Sequence, residues 1–170
     1  MGNIVRLSRS SPVSEWISMS NGLTDVFINV LVLSGSQLAE SISEKRLVVW
    51  LSERDQIIGR GTVGFDIDRM PWNKDTFYED KNFLLHVIQE AENQLGWDKL
   101  DYTPNVELLL PCLKQFAVLI SRLDVKDIQE NAAQEWLSRA DADNPINCGF
   151  PRCKKHDTFL SFLGCQVCNN

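Results

Sequence analysis

Apolar residues return every three to four positions along most of this chain, so helices are the predicted elements. Leu23, Val26, Phe27, Val30, Leu31 and Leu38 fit one helical stripe, although the β-branched run around Val30–Val32 suits a buried strand equally well. Leu47-Val48-Val49-Trp50-Leu51 forms a second apolar run, and its length does not decide between helix and strand. Thr76 and Glu79 stand at capping-box spacing before Phe83, Leu84, Val87, Ile88, Ala91 and Leu95, which predicts an amphipathic helix that Gly96 can end. Thr103-Pro104 reads as an N-cap followed by proline, opening a helix through Val106, Leu109, Leu113, Phe116 and Ile120 that Pro111 should kink. Residues 125–140 form a further predicted helix, with Ile128, Ala132 and Trp136 inward.

Two stretches break this pattern. Residues 1–21 are Ser-rich and weakly periodic, an extended lead-in that Trp16 and Ile17 can anchor. Around 56–70, Gly59, Gly61 and Gly64 precede Met70-Pro71, which predicts an irregular segment or short hairpin. The expected architecture is a mainly α body over 22–143, followed by a small module over 144–170.

Charge narrows the function classes. A net charge of −6 opposes a broad nucleic-acid surface, because such binding depends on Lys and Arg neutralising phosphates. The N-terminal residues show no secretory signal, and the densest apolar run, Val26–Leu33, is too short to span a bilayer, so a cytoplasmic protein without a membrane role is expected. Reduced thiols are then favoured over disulfides.

Four of the five cysteines fall in the last stretch, as Cys148, Cys153, Cys165 and Cys168, with His156 among them. Cys153-x2-His156-x8-Cys165-x2-Cys168 resembles small zinc modules of the treble-clef and zinc-ribbon kind. The resemblance implies a structural zinc ion held by Cys153, His156, Cys165 and Cys168, with Cys148 as the alternate ligand. It covers about the last two dozen residues and assigns no family to residues 1–145.

Catalytic residues are not evident. His86 lies in an apolar run and Cys112 beside Pro111, neither with a recognisable partner. Asp66-x-Asp68 could hold a cation, but its spacing also fits the solvent face of a strand. Gly59-x-Gly61-x-x-Gly64 has the letters of a dinucleotide loop, yet the following Phe65–Pro71 cannot open the required helix. The expectation is therefore a non-enzyme: an inhibitor, immunity-type neutraliser or adaptor that docks on a basic protein, with Trp72, Tyr78, Trp97 and Tyr102 as contact candidates. The alternative is a nucleic-acid reader that uses Arg152, Lys154 and Lys155 on the zinc module.

Overall fold

A computed structural model describes residues 3–54 and 64–169. Two short strands, β1 (Asn3–Val5) and β2 (Ile17–Met19), pair antiparallel with Ile4 opposite Ser18. Five α-helices follow: α1 (Asn21–Leu38), α2 (Ile42–Ser52), α3 (Phe77–Glu92), α4 (Val106–Arg122) and α5 (Ala132–Ser138). The body is mainly α, as the periodicity predicts.

Helix α1 is the axis of the fold. It packs against α2, α3 and α4, and every residue from Phe27 to Ser36 is buried. A helix enclosed on all sides needs no polar face, which is why its β-branched run reads ambiguously in sequence. Gly35 permits the close approach of α2, since a Cβ there would stand 2.8 Å from a Val48 methyl. Ser34 Oγ, wholly buried, donates within α1 to the Val30 carbonyl at 3.0 Å and lies 3.1 Å from the Val87 carbonyl of α3. Burying a hydroxyl is tolerable only with such partners.

Several boundaries differ from the sequence reading. Helix α2 starts from a capping box that the reading did not single out: Ser41 accepts from the Glu44 N–H while the Glu44 carboxylate accepts from the Ser41 N–H. At α3 the expected Thr76–Glu79 box is absent. Thr76 Oγ1 instead donates to Asp80 at 2.9 Å, and Ser43 of α2 donates to the same carboxylate oxygen at 2.5 Å. Helix α3 ends at Glu92, before Gly96, because Gln94 already takes a left-handed φ of 67°. Helix α4 is capped by Asn105, whose side chain accepts from the Leu108 N–H, so Thr103-Pro104 lies outside it. Pro111 sits within α4, which is assigned as one helix to Arg122.

The predicted helix over 125–140 is shortened to α5. Val125–Asp127 form a 3-10 turn, and the Gln129 N–H then donates to the Asp68 carbonyl at 2.8 Å. That tertiary bond draws the chain out of helical geometry before α5 begins. Of the segment near 56–70, residues 56–63 lie outside the described residues. Residues 64–70 run beside β1, with an Arg6–Asp66 parallel bridge and then a 3-10 turn at Ile67–Arg69. Gly64 is required there, because a Cβ would fall 1.9 Å from the Ile4 carbonyl oxygen.

One continuous core includes Val5, Ile17 and Met19 from the N-terminal strands, the inner faces of α1–α4, and Ile146, Phe150 and Phe159 from the cysteine segment. Its aromatic centre is edge-on: Phe27 with Phe116 at 5.4 Å and Trp50 with Phe65 at 5.3 Å between ring centroids. No described helix is long and apolar enough to cross a membrane.

Candidate metal centre

The cysteine segment is shaped by turns. Cys153 and His156 belong to one turn, closed by the Asp157 N–H donating to the Cys153 carbonyl at 2.9 Å and by the Cys153 N–H donating to the Thr158 carbonyl at 2.8 Å. Asp157 adopts a left-handed φ of 54°, a conformation aspartate tolerates better than most residues, which reverses the chain directly after His156. A second reversal pairs Ser161 with Gly164 and delivers Cys165 from Gly164 at φ 93°. The Cys168 N–H then points back to Cys165 Sγ at 3.4 Å, giving Cys165-Gln166-Val167-Cys168 the form of a knuckle.

These turns converge four ligand atoms. The Sγ atoms of Cys153, Cys165 and Cys168 and one ring nitrogen of His156 lie within 4.8 Å of one another. Cys153 Sγ and Cys168 Sγ are 3.7 Å apart. His156 Nδ1 is 3.3 Å from Cys168 Sγ, 3.6 Å from Cys165 Sγ and 3.9 Å from Cys153 Sγ. A tetrahedral ion bound about 2.3 Å from sulfur and about 2.0 Å from imidazole nitrogen sets S–S edges of about 3.8 Å and S–N edges of about 3.5 Å. Those four edges lie close to the edges of a tetrahedron around one metal ion, and the cysteines are free rather than joined in disulfides. Four protein donors would fill the coordination of such an ion and leave no open position.

The local environment treats the thiols differently. His156 and Cys165 are buried, and Thr158 Oγ1 lies 3.3 Å from Cys165 Sγ as a hydroxyl partner. In the metal-free protein, burial opposes the Cys153 thiolate, but the backbone N–H groups of His156 and Lys155, with the neighbouring thiols, outweigh it and lower its pKa. Cys168 is pushed up to about 11, first by burial and then by the other two sulfurs. Burial also lowers the His156 pKa, with Lys155 adding to the effect, so the imidazole favours the neutral form a metal needs.

The centre is fastened to the body through the last turn of α1. Arg152 Nη2 donates to the Ser36 carbonyl at 2.8 Å, and the Phe159 N–H donates to Ser36 Oγ at 3.2 Å. A cation at a helix C-terminus satisfies an orphan carbonyl and complements the helix dipole. The Arg152 guanidinium also stacks on Phe159 at 4.6 Å and its Nε bonds Asp157 at 2.7 Å. Leu33 packs with Cys165 and Val167 in a small apolar cluster beside the sulfurs.

The other sequence candidates are dispersed. Cys148, the alternate ligand, is exposed and outside the quartet, its Sγ facing the Ala142 carbonyl at 3.4 Å. Trp72 and Trp97, proposed as contact residues, are instead buried in the core, and Trp72 Nε1 donates to the Ile67 carbonyl at 2.8 Å. Tyr78 is well exposed and Tyr102 borders on exposure, 3.0 Å from Asn29 Nδ2. Arg152 is occupied by the fold, whereas Lys154 and Lys155 face solvent. Asp66 is surrounded by Arg6 at 2.6 Å, Arg9 at 3.6 Å and Arg69 at 3.7 Å, and Asp68 is buried and bonded by Gln129 Nε2 at 3.2 Å. That pair anchors chain segments to each other, and three guanidiniums around Asp66 would repel a cation. His86 stands exposed on α3, 3.9 Å from Glu90. The Arg152–Ser36 anchor is the element of this site that sequence reasoning missed; its only signal was one basic residue beside a ligand cysteine.

Compared with protein-family models, curated proteins and solved structures, the chain matches none. Fold and site together define a class: a mainly α body carrying a Cys3His cluster that could bind a metal.

Proposed function

We propose that the cluster is a structural zinc site and that the protein acts by binding another protein. The tetrahedral spacing of Cys153, His156, Cys165 and Cys168 carries the first part. Three soft thiolates with one imidazole in a closed tetrahedron favour zinc over magnesium or calcium, which take oxygen ligands. Such an ion holds a short segment together and has no open position for catalysis. The second part is supported by the net charge of −6, which steers association with a basic partner, and by Tyr78 and Phe162, each about three-fifths exposed. An inhibitor or immunity-type neutraliser of a basic protein in the cytoplasm fits that chemistry. The nucleic-acid reading is weaker, since Arg152 is committed to Ser36 and leaves Lys154 and Lys155 as the solvent-facing cations of the module.

Affinity capture of the tagged chain at low and moderate salt, with metal analysis of the same sample, tests this reading. The expected result is about one zinc per chain and one stoichiometric basic protein whose retention weakens with salt. Zinc-free protein overturns the metal assignment. Nucleic acid bound at low salt and released by Lys154→Glu with Lys155→Glu overturns the protein-binding reading in favour of the alternative.

A further inference from the structure

A cleft of about 460 Å³ opens where the C-terminal end of α2 meets α5, on residues that take no part in the metal centre. Three arginines line it, Arg54, Arg69 and Arg139, an unusual concentration for a chain of net charge −6. Arg54 Cζ sits 3.9 Å from the Trp50 ring centroid and its Nε donates to the Trp50 carbonyl at 3.3 Å. Those contacts leave Nη1 and Nη2 without a hydrogen-bond partner among the described residues. Neither Arg54 nor Arg139 has a carboxylate within ion-pair distance among the described residues. Burial pulls the Arg54 pKa below the usual arginine range, against the pull of Glu53, yet a guanidinium keeps its charge at neutral pH. A desolvated cation is costly; Glu53 offsets part of that cost, and an incoming anion on the unbonded Nη groups would offset more.

The acids on the rim offset this field only in part, and Arg69 is shared with Asp66. Glu130 is paired with Lys74, and Glu135 is exposed to solvent. The cleft also carries a fixed aromatic surface: the partly exposed Trp136 has its Nε1 tied to Glu53 Oε2 at 2.7 Å. A rigid indole beside guanidiniums is suited to a ligand with a planar ring and a multiply charged anionic group.

From this we infer that the α2–α5 cleft binds a phosphorylated small molecule bearing a planar ring, of mononucleotide size, with its phosphate on Arg54 and Arg139 and its ring against Trp136. None of the residues lining the cleft is a candidate metal ligand, so its test is independent of the zinc and protein-binding readings. Isothermal titration calorimetry of the intact chain with adenosine monophosphate, adenosine and inorganic phosphate tests it. Adenosine monophosphate is expected to bind more tightly than either part alone. Arg139→Glu, an exposed change, should weaken it by about tenfold or more, with an unchanged circular dichroism spectrum. Arg122→Glu, a comparable charge reversal on α4 outside the cleft lining, should leave it unchanged. Absence of binding up to about 10 mM, equal affinity for adenosine, or full retention of binding by Arg139→Glu overturns the inference.

Discussion

At the scale of single residues, the grouping of the candidate ligands was the most legible property, because chemistry and spacing act together: Cys153, His156, Cys165 and Cys168 stand at turn-length intervals and the fold brings all four to one point. Cys148 is close in sequence but lies beyond the turn that Phe150 makes with its φ of 56°. Cys165→Ser or Cys168→Ser should therefore reduce bound zinc from about one per chain to near zero, while Cys148→Ser keeps it, as measured by mass spectrometry of the native protein. Burial was less legible. Trp72 and Trp97 have polar or turn-forming neighbours in sequence, and only the tertiary fold covers them. Asp80 offers a pH test at this scale. Burial raises its carboxyl pKa, with the Ser43 and Thr76 hydroxyls acting against the shift. The folded state then holds the proton more firmly than the unfolded chain does, so the stability Asp80 contributes is present below its ordinary range and lost as pH rises through the raised value. Asp80→Asn keeps an acceptor for both hydroxyls and should gain on the native protein as pH climbs above about 4. Urea denaturation of both proteins at matched pH values reads this, and a difference independent of pH would count against it.

At the scale of elements, helices with one wet and one dry face were read most directly from periodicity, as α3 and α4 show. Buried α1 carried an ambiguous signal because it lacks a wet face, and the stretch before α5 departed from helix through a bond to Asp68 that no local pattern announces. Contact between elements is most exacting at two glycines. At Gly35 an added Cβ meets the side chain of Val48 at 2.8 Å, while at Gly64 it meets the Ile4 backbone at 1.9 Å. A side chain can yield and a backbone in a strand cannot. Gly35→Ala is expected to cost about 1 kcal/mol and Gly64→Ala about 3 kcal/mol, compared through their urea midpoints at constant slope. Equal losses would show that β1 does not hold residues 64–66 as tightly as the geometry requires.

For the molecule as a whole, size, charge and class were accessible from composition, whereas a partner is not encoded in any local pattern. The cysteine segment is joined to the body by one continuous core, yet its own turns are short and carry few backbone bonds. Chelation should consequently raise hydrogen exchange across residues 151–169 while the helical far-ultraviolet signal of α1 to α4 persists. Unchanged exchange in that segment would mean that the turns and the core hold it without a metal. Ser36 gives this junction a further meaning. Its carbonyl takes Arg152 and its hydroxyl takes the Phe159 N–H, so one residue of the central helix serves both edges of the segment. Over evolutionary change, positions 36 and 152 should then behave as a linked pair: a relative that loses the arginine leaves a helix-end carbonyl unpartnered, and one that loses the serine hydroxyl leaves a buried N–H unpartnered. Substitutions at the two sites are expected to appear together or not at all, so the seam between body and metal segment would be inherited as a unit.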